Sequence, residues 1–305
     1  MIPLPDSLKS YRVAELVTLT RNGAPVGWPM LPSIEQGVIA FSTGYVYPSK
    51  AINAKRNPNV AVLFSDPSGS GRPDADPLTL VQGTARVLDE DLQRNTERYV
   101  DQLLDAAQDN PLPRLLRNGL ARNLFVGYLC RIWIEVSPER QFTWERTGSP
   151  AGELQATRPA SFTPGPAFLP DEVGSWLARY TRPPVLSFVT AGGRPAATRV
   201  RATHLGDTIE IGGGIPAEVG APACLTYHRL SGNYRANDSF IIRGHLRSST
   251  ELVPEKVVGF IGSQDDRGVG SLKLMMMMYR WRGQLRRKLA TAGQPMVIVR
   301  PTRPM

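Results

Sequence analysis

Residues 16–27 read LVTLTRNGAPVG, and residues 186–197 read LSFVTAGGRPAA. Without a gap, Asn22-Gly23-Ala24-Pro25 falls on Gly192-Gly193-Arg194-Pro195, an offset of 170 residues. Each copy has the pattern of a strand, a glycine-containing hairpin turn and a second strand. At the same offset, residues 39–43 (IAFST) fall on 209–213 (IEIGG), a third strand. With gaps, residues 60–64 resemble 223–227, and 80–86 resemble 241–247. A helical stretch then leads to 134–140 (IEVSPER), set against 297–303 (VIVRPTR) as the closing strand. Pro5-Asp6 and Pro170-Asp171 each place an aspartate cap before a short helix.

Matches in this order mark a tandem duplication. The expected fold is mainly β with peripheral helices: two small antiparallel barrels in one polypeptide, a pseudo-dimer. Residues 148–170 are rich in Pro, Gly, Ala and Ser and read as a connector. The expected domains are therefore 1–147 and 170–305, with 148–169 as linker.

Composition narrows the function classes. The 305-residue chain carries 36 Lys and Arg against 27 Asp and Glu, a net charge of +9. Only six of those cations are lysine. They are scattered, with no helix-turn-helix, zinc-finger spacing or aromatic RNA-binding strand, so anionic small molecules are expected as partners rather than nucleic acid. Cys130 and Cys224 are too isolated for a disulfide framework or a zinc site. The opening MIPLPDSLKSYRVAE lacks a secretory pattern, and a cytoplasmic location is expected. Residues 272–288 combine methionines with basic residues, as a membrane-surface helix does. Their counterpart at 112–129 argues for barrel packing with methionine as filler, and no membrane partner is expected.

The copies differ between their third and fourth strands. The first has 44–59, with a short basic helix over YPSKAINAKRNP; the second has only GIPAEVGAP at 214–222. Ser49 is a candidate N-cap, and Asn57-Pro58 stops the helix. Lys50 and Asn53 share a face, three residues apart. The longer insert reads as a retained anion site: backbone N–H groups at the helix start, a mobile lysine cation and an amide donor. Lys55 and Arg56 read as solvated surface or as contacts to a ligand's tail.

At this point the first half resembles a known family, the split β-barrel proteins that include pyridoxamine 5′-phosphate oxidase and the flavin- and deazaflavin-dependent oxidoreductases. The resemblance is carried by Gly23-Ala-Pro25, Pro29-Met30, Phe41-Ser-Thr43, Lys50-Ala-Ile-Asn53, Arg56-Asn-Pro-Asn-Val60, Val81–Arg86 with Asp89, and residues 136–144 (VSPERQFTW). It covers roughly residues 5–146 of the chain. It implies a cleft between barrels for FMN or the deazaflavin F420, and hydride transfer to a small organic substrate. It also implies one good cleft, with Lys50 and Asn53 on the cofactor phosphate. An arginine that often joins them in the family is replaced here by Pro48. The alternative reading is a non-catalytic protein holding a cofactor, haem or a hydrophobic ligand.

Other candidates carry two readings each. Ser42 and Thr43 end the third strand, where hydroxyls reach phosphate or ring, or cap a turn. Trp28, Pro29, Met30 and Leu31 line a strand that in the family touches the flavin through its backbone, or pack the core. Gln82 bonds a ring edge or lies beside a Gly83 bulge; Tyr45 and Tyr47 stack on a ring or cover the barrel end. Arg199 and Arg201 receive an anion or form a solvated strand face. His204, His228 and His245 show no metal spacing, and a haem ligand is the remaining use of an imidazole here. No catalytic side chain and no metal site are expected: there is no Gly-x-Ser-x-Gly and no supported Cys–His pair. Whether the pseudo-dimer pairs further is not readable.

Overall fold

The computed structural model describes residues 2–67, 76–106, 119–146, 154–230, 237–260 and 271–299. The first half supplies β1 (Val13–Leu19), β2 (Pro25–Met30), β3 (Ser33–Glu35), β4 (Val38–Gly44), β5 (Asn59–Asp66), β6 (Leu78–Leu88) and β7 (Arg131–Trp144). They form one sheet in the order β2-β1-β5-β6-β7-β4-β3. The second half supplies β8 (Val185–Val189), β9 (Pro195–Arg199), β10 (Arg201–Leu205), β11 (Thr208–Gly212), β12 (Ala221–Leu230), β13 (Asn237–Ser248) and β14 (Glu251–Phe260). Read from its far end, that sheet runs β9-β8-β12-β13-β14-β11-β10, the same permutation of strands. The molecule is two curled seven-stranded split barrels in one chain, as the repeat predicts.

The repeated hairpins show why the sequence recurs. Gly23 and Gly193 have φ of +78° and +73°, a region that glycine enters without strain. Thr20 N–H donates to Ala24 O, and Thr190 N–H to Arg194 O, both at 2.8 Å. Each threonine hydroxyl donates to the same carbonyl at 3.0 Å. Gly83 and Gly244 are equivalent too. Each sits where the register shifts, opposite Pro138 and Pro254 respectively. A Cβ on either would overlap the carbonyl oxygen of Ser137 or Val253, so the bulge needs glycine.

One predicted pairing is corrected. The closing strand of the second half is β14, and its residues 252–256 (LVPEK) match 136–140 (VSPER). It follows β13 directly, whereas α2 (Leu92–Ala106) and α3 (Gly119–Leu129) intervene between β6 and β7. Residues 297–299 are not in a strand, and 300–303 lie outside the described residues. The chain's last long helix, α5 (Ser271–Thr291; α4 is the short Val173–Leu177), instead returns to the first barrel. Leu285, Leu289, Val297 and Val299 are buried in the first barrel's core. Gln93 clamps this return segment, donating to Ile298 O at 2.7 Å and accepting from Ile298 N–H at 2.9 Å. The α3–α5 crossing is close because Gly127 lies against the Trp281 backbone, where a Cβ would come within 2.5 Å.

The two barrels share a core. Val17, Ala61, Leu63, Leu78 and Leu80 of the first half pack with Phe188, Leu225 and Phe240 of the second. Each buried Val, Leu or Phe among them contributes about 1.5–3 kcal/mol. In pseudo-two-fold fashion, β2 packs on β8, β12 and β13, while β9 packs on β1, β5 and β6. The predicted linker is described from 154 onward, with 148–153 outside the described residues. Ala156 is fully buried and bridges Ala217 and Thr190, so this part is packed onto the second barrel.

Candidate functional site

The basic insert forms α1 (Ser49–Arg56), as predicted, but Pro48 and not Ser49 is the N-cap. No side chain caps the helix, and its first-turn N–H groups lack intrahelical partners. Ala51 and Ala54 bury one side against the barrel, which fixes the helix and leaves Lys50 at its start.

Lys50 Nζ lies 4.7 Å from the centre of the Trp28 ring, a cation–π contact. Burial, then repulsion from Arg131, lowers the Lys50 pKa to about 8. Arg131, the first residue of β7, was not singled out in the sequence. Its guanidinium lies 4.0 Å from the Tyr99 ring centre and 4.4 Å from that of Tyr128. It donates to Tyr99 Oη at 2.8 Å. Burial opposes its charge, and the two tyrosines more than offset that, so its pKa is raised. Its Nε is buried with no hydrogen-bond partner. Trp281 of α5 stacks on Tyr128, 6.1 Å between centres, and meets Tyr47 edge-on at 5.4 Å. Its Nε1–H donates to the Tyr47 hydroxyl.

Among the described residues, neither Lys50 nor Arg131 meets a carboxylate. Two cations are thus held within repelling range, partly desolvated, beside free N–H groups. That arrangement costs free energy which a bound anion would offset.

Asn53 is partly committed. Its amide donates to Thr18 Oγ1 at 3.1 Å and its oxygen accepts from Arg56 at 2.6 Å, while Thr18 Oγ1 also accepts from Trp28 Nε1 at 3.2 Å. One amide N–H remains for a ligand. Ser49 is exposed at the helix start. Thr43 is buried and donates to Tyr47 O at 3.4 Å, while Ser42 is half-buried beside it. Pro29 is half-buried on the edge strand β2 and Met30 is in the first core. Gln82 points away from the cradle: fully buried, it donates to Pro195 O of β9 at 2.8 Å and ties the barrels together. Lys55 pairs with Asp89 at 2.8 Å on the surface.

The remaining candidates separate. Arg199 is buried at the barrel interface, with Nη2 2.8 Å from Glu15 Oε1. His228 Nε2 lies 2.9 Å from the same oxygen, and Ser65 donates to Glu15 as well. His245 pairs with Glu255 at 2.6 Å. His204 is half-buried, and its pKa is lowered by that burial. Arg201 is exposed. No cluster of three His, Cys, Asp or Glu able to hold a metal occurs among the described residues. Burial raises both thiols, Cys130 to about 12, so neither is a ready nucleophile. No helix among the described residues is long and apolar enough to cross a membrane.

No family model and no curated protein matches the sequence. Solved structures do. One is a conserved hypothetical protein, Rv2991, from Mycobacterium tuberculosis: 23% identity, 46% of this chain and 81% of that one, TM-score 0.31. Another is an F420 reductase, 20% identical, covering 46% of this chain and 98% of that one, TM-score 0.32. A putative pyridoxamine 5′-phosphate oxidase from Listeria innocua matches at 17% identity over 45% and 91%, TM-score 0.31. These neighbours are split-barrel proteins. They include a haem storage protein from Vibrio cholerae, HutZ, 13% identical, covering 46% of this chain and 91% of that one, TM-score 0.33. Each covers about half of this chain, one barrel's worth. At such low scores the likeness carries no functional argument, which rests on the cradle itself.

Proposed function

We propose that the cradle holds the phosphate of a flavin-type cofactor, FMN or F420, and that the protein is an oxidoreductase acting on a small organic substrate. The observation that supports this is the Lys50–Arg131 pair, two desolvated cations without a carboxylate at the open start of α1. Arg131 supplies from β7 the second cation that Pro48 lacks. Lys50 and the remaining Asn53 N–H would complete the grip, with Ser49 and the Ser42–Thr43 strand end bordering it. Trp28 holds the lysine ammonium, and β2, with Pro29 and Met30, offers the adjoining strand edge for a ring. Such a cofactor, when bound, supplies the hydride chemistry, while this chain supplies anchoring, orientation and exclusion of water. The second barrel lacks the insert, so one site per chain is proposed, with domains at 1–147 and 170–305. A carrier without turnover would use the same cradle. Oxidation of the reduced cofactor by an added acceptor, faster with protein than without, separates the enzyme from the carrier.

The reading has a pH signature. Lys50 is cationic below about 8 and loses its proton above. A phosphate monoester is already dianionic above its second pKa of about 6, so the phosphate does not titrate here. Affinity for FMN should be flat near neutrality and fall about tenfold per unit above pH 8. A titration followed by flavin fluorescence checks this. Constant affinity from pH 7 to 10 would remove Lys50 from the site.

A further inference from the structure

The opposite face of α1 borders a second concavity. A groove of about 430 Å³ runs between α1 and the end of α5, lined by Ala51, Ile52, Val87, Ile132, Arg287 and Lys288 among others. Its floor is apolar: Ala51 and Ile132 are buried, and Ile52, which also lines it, is 53% exposed. Its rim carries Lys55, Arg287 and Lys288 against one carboxylate, Asp89, and is net cationic. Arg287 meets no carboxylate among the described residues, and Lys288 Nζ is anchored on Val46 O at 2.9 Å. Lys55 also lines it, but is neutralised by Asp89 at 2.8 Å. The α5 sequence, SLKLMMMMYRWRGQLRRKLAT, contains no acidic residue to balance that rim. The volume is in the range that takes a small organic ligand.

We propose that this groove binds an amphipathic organic anion, its alkyl or aryl body on Ala51, Ile52, Val87 and Ile132 and its head group at Arg287 and Lys288. The apolar floor excludes a purely ionic ligand, and the rim selects a negative head over a neutral one. The groove adjoins the cradle at Pro48 but lies on another face of α1, because Ala51, Ile52 and Lys55 face away from Lys50 and Asn53.

Calorimetry with dodecanoate, kept below its micellar concentration, tests the assignment, with dodecanol as the neutral control. Dodecanoate should bind at one site per chain, at least about tenfold more tightly than dodecanol. Arg287→Glu should weaken it by about tenfold or more, and Ile52→Trp, which fills the floor, should abolish it. FMN affinity should be unchanged in both variants, and dodecanoate affinity unchanged in Lys50→Glu. Absence of dodecanoate binding, equal binding of dodecanol, competition with FMN, or indifference to both groove substitutions would each overturn the proposal. A cradle that failed to bind FMN would leave these dodecanoate results standing.

Discussion

Replacing Lys50 with glutamate is expected to weaken FMN or F420 binding by at least about 100-fold. The substitution removes a charge-assisted hydrogen bond, worth about 1.5–3 kcal/mol, and adds a negative group where the phosphate would sit. It also gives Arg131 an internal counter-ion, so the second cation is neutralised at the same time. The fold should be retained, since Lys50 makes no ion pair among the described residues and the glutamate would pair with Arg131. Lys55→Glu on the exposed side of the same helix is the control, and should change affinity little, because Lys55 already spends its charge on Asp89. Equilibrium titration of both variants measures the difference; equal affinities would contradict the cradle.

The second large effect is on stability. Glu15 is fully buried, accepts from Arg199 across the barrel interface and from Ser65 within its own barrel, and lies 2.9 Å from His228 Nε2 of the other barrel. Glu15→Ala would strand the Arg199 guanidinium, whose side chain is 5% exposed, without its counter-charge. Breaking a buried pair this way costs about 3–5 kcal/mol. Replacing both partners, Glu15→Leu with Arg199→Met, should recover most of that, because neither charge then remains to be desolvated. Denaturant unfolding of the parent and the two variants reads this out. A single alanine variant as stable as the parent would show that the pair does not join the barrels.

The duplication was legible because its decisive residues answer to local backbone geometry. Gly23 and Gly193 must take positive φ, and Gly83 and Gly244 must admit a neighbouring carbonyl, so the repeat survives at those points. The closing strand was misplaced for a physical reason. Helices separate β6 from β7 but not β13 from β14, so equal spacing misled, although VSPER and LVPEK were there to be matched. Lys50 stood out through the insert that one copy lacks. Arg131, Tyr99, Tyr128 and Trp281 did not, because they come from four separate elements and meet only through packing. Gln82 carried a polar side chain on a buried strand, and its partner, a Pro195 carbonyl, belongs to the other barrel. No local pattern could indicate that.

The central claim is a single phosphate cradle in a molecule with two barrels. Its most direct test is the stoichiometry of FMN binding by calorimetry, with riboflavin, which lacks the phosphate, run beside it. The account predicts one FMN per chain and riboflavin weaker by about 100-fold. Two equivalent sites per chain, or riboflavin bound as tightly as FMN, would contradict it.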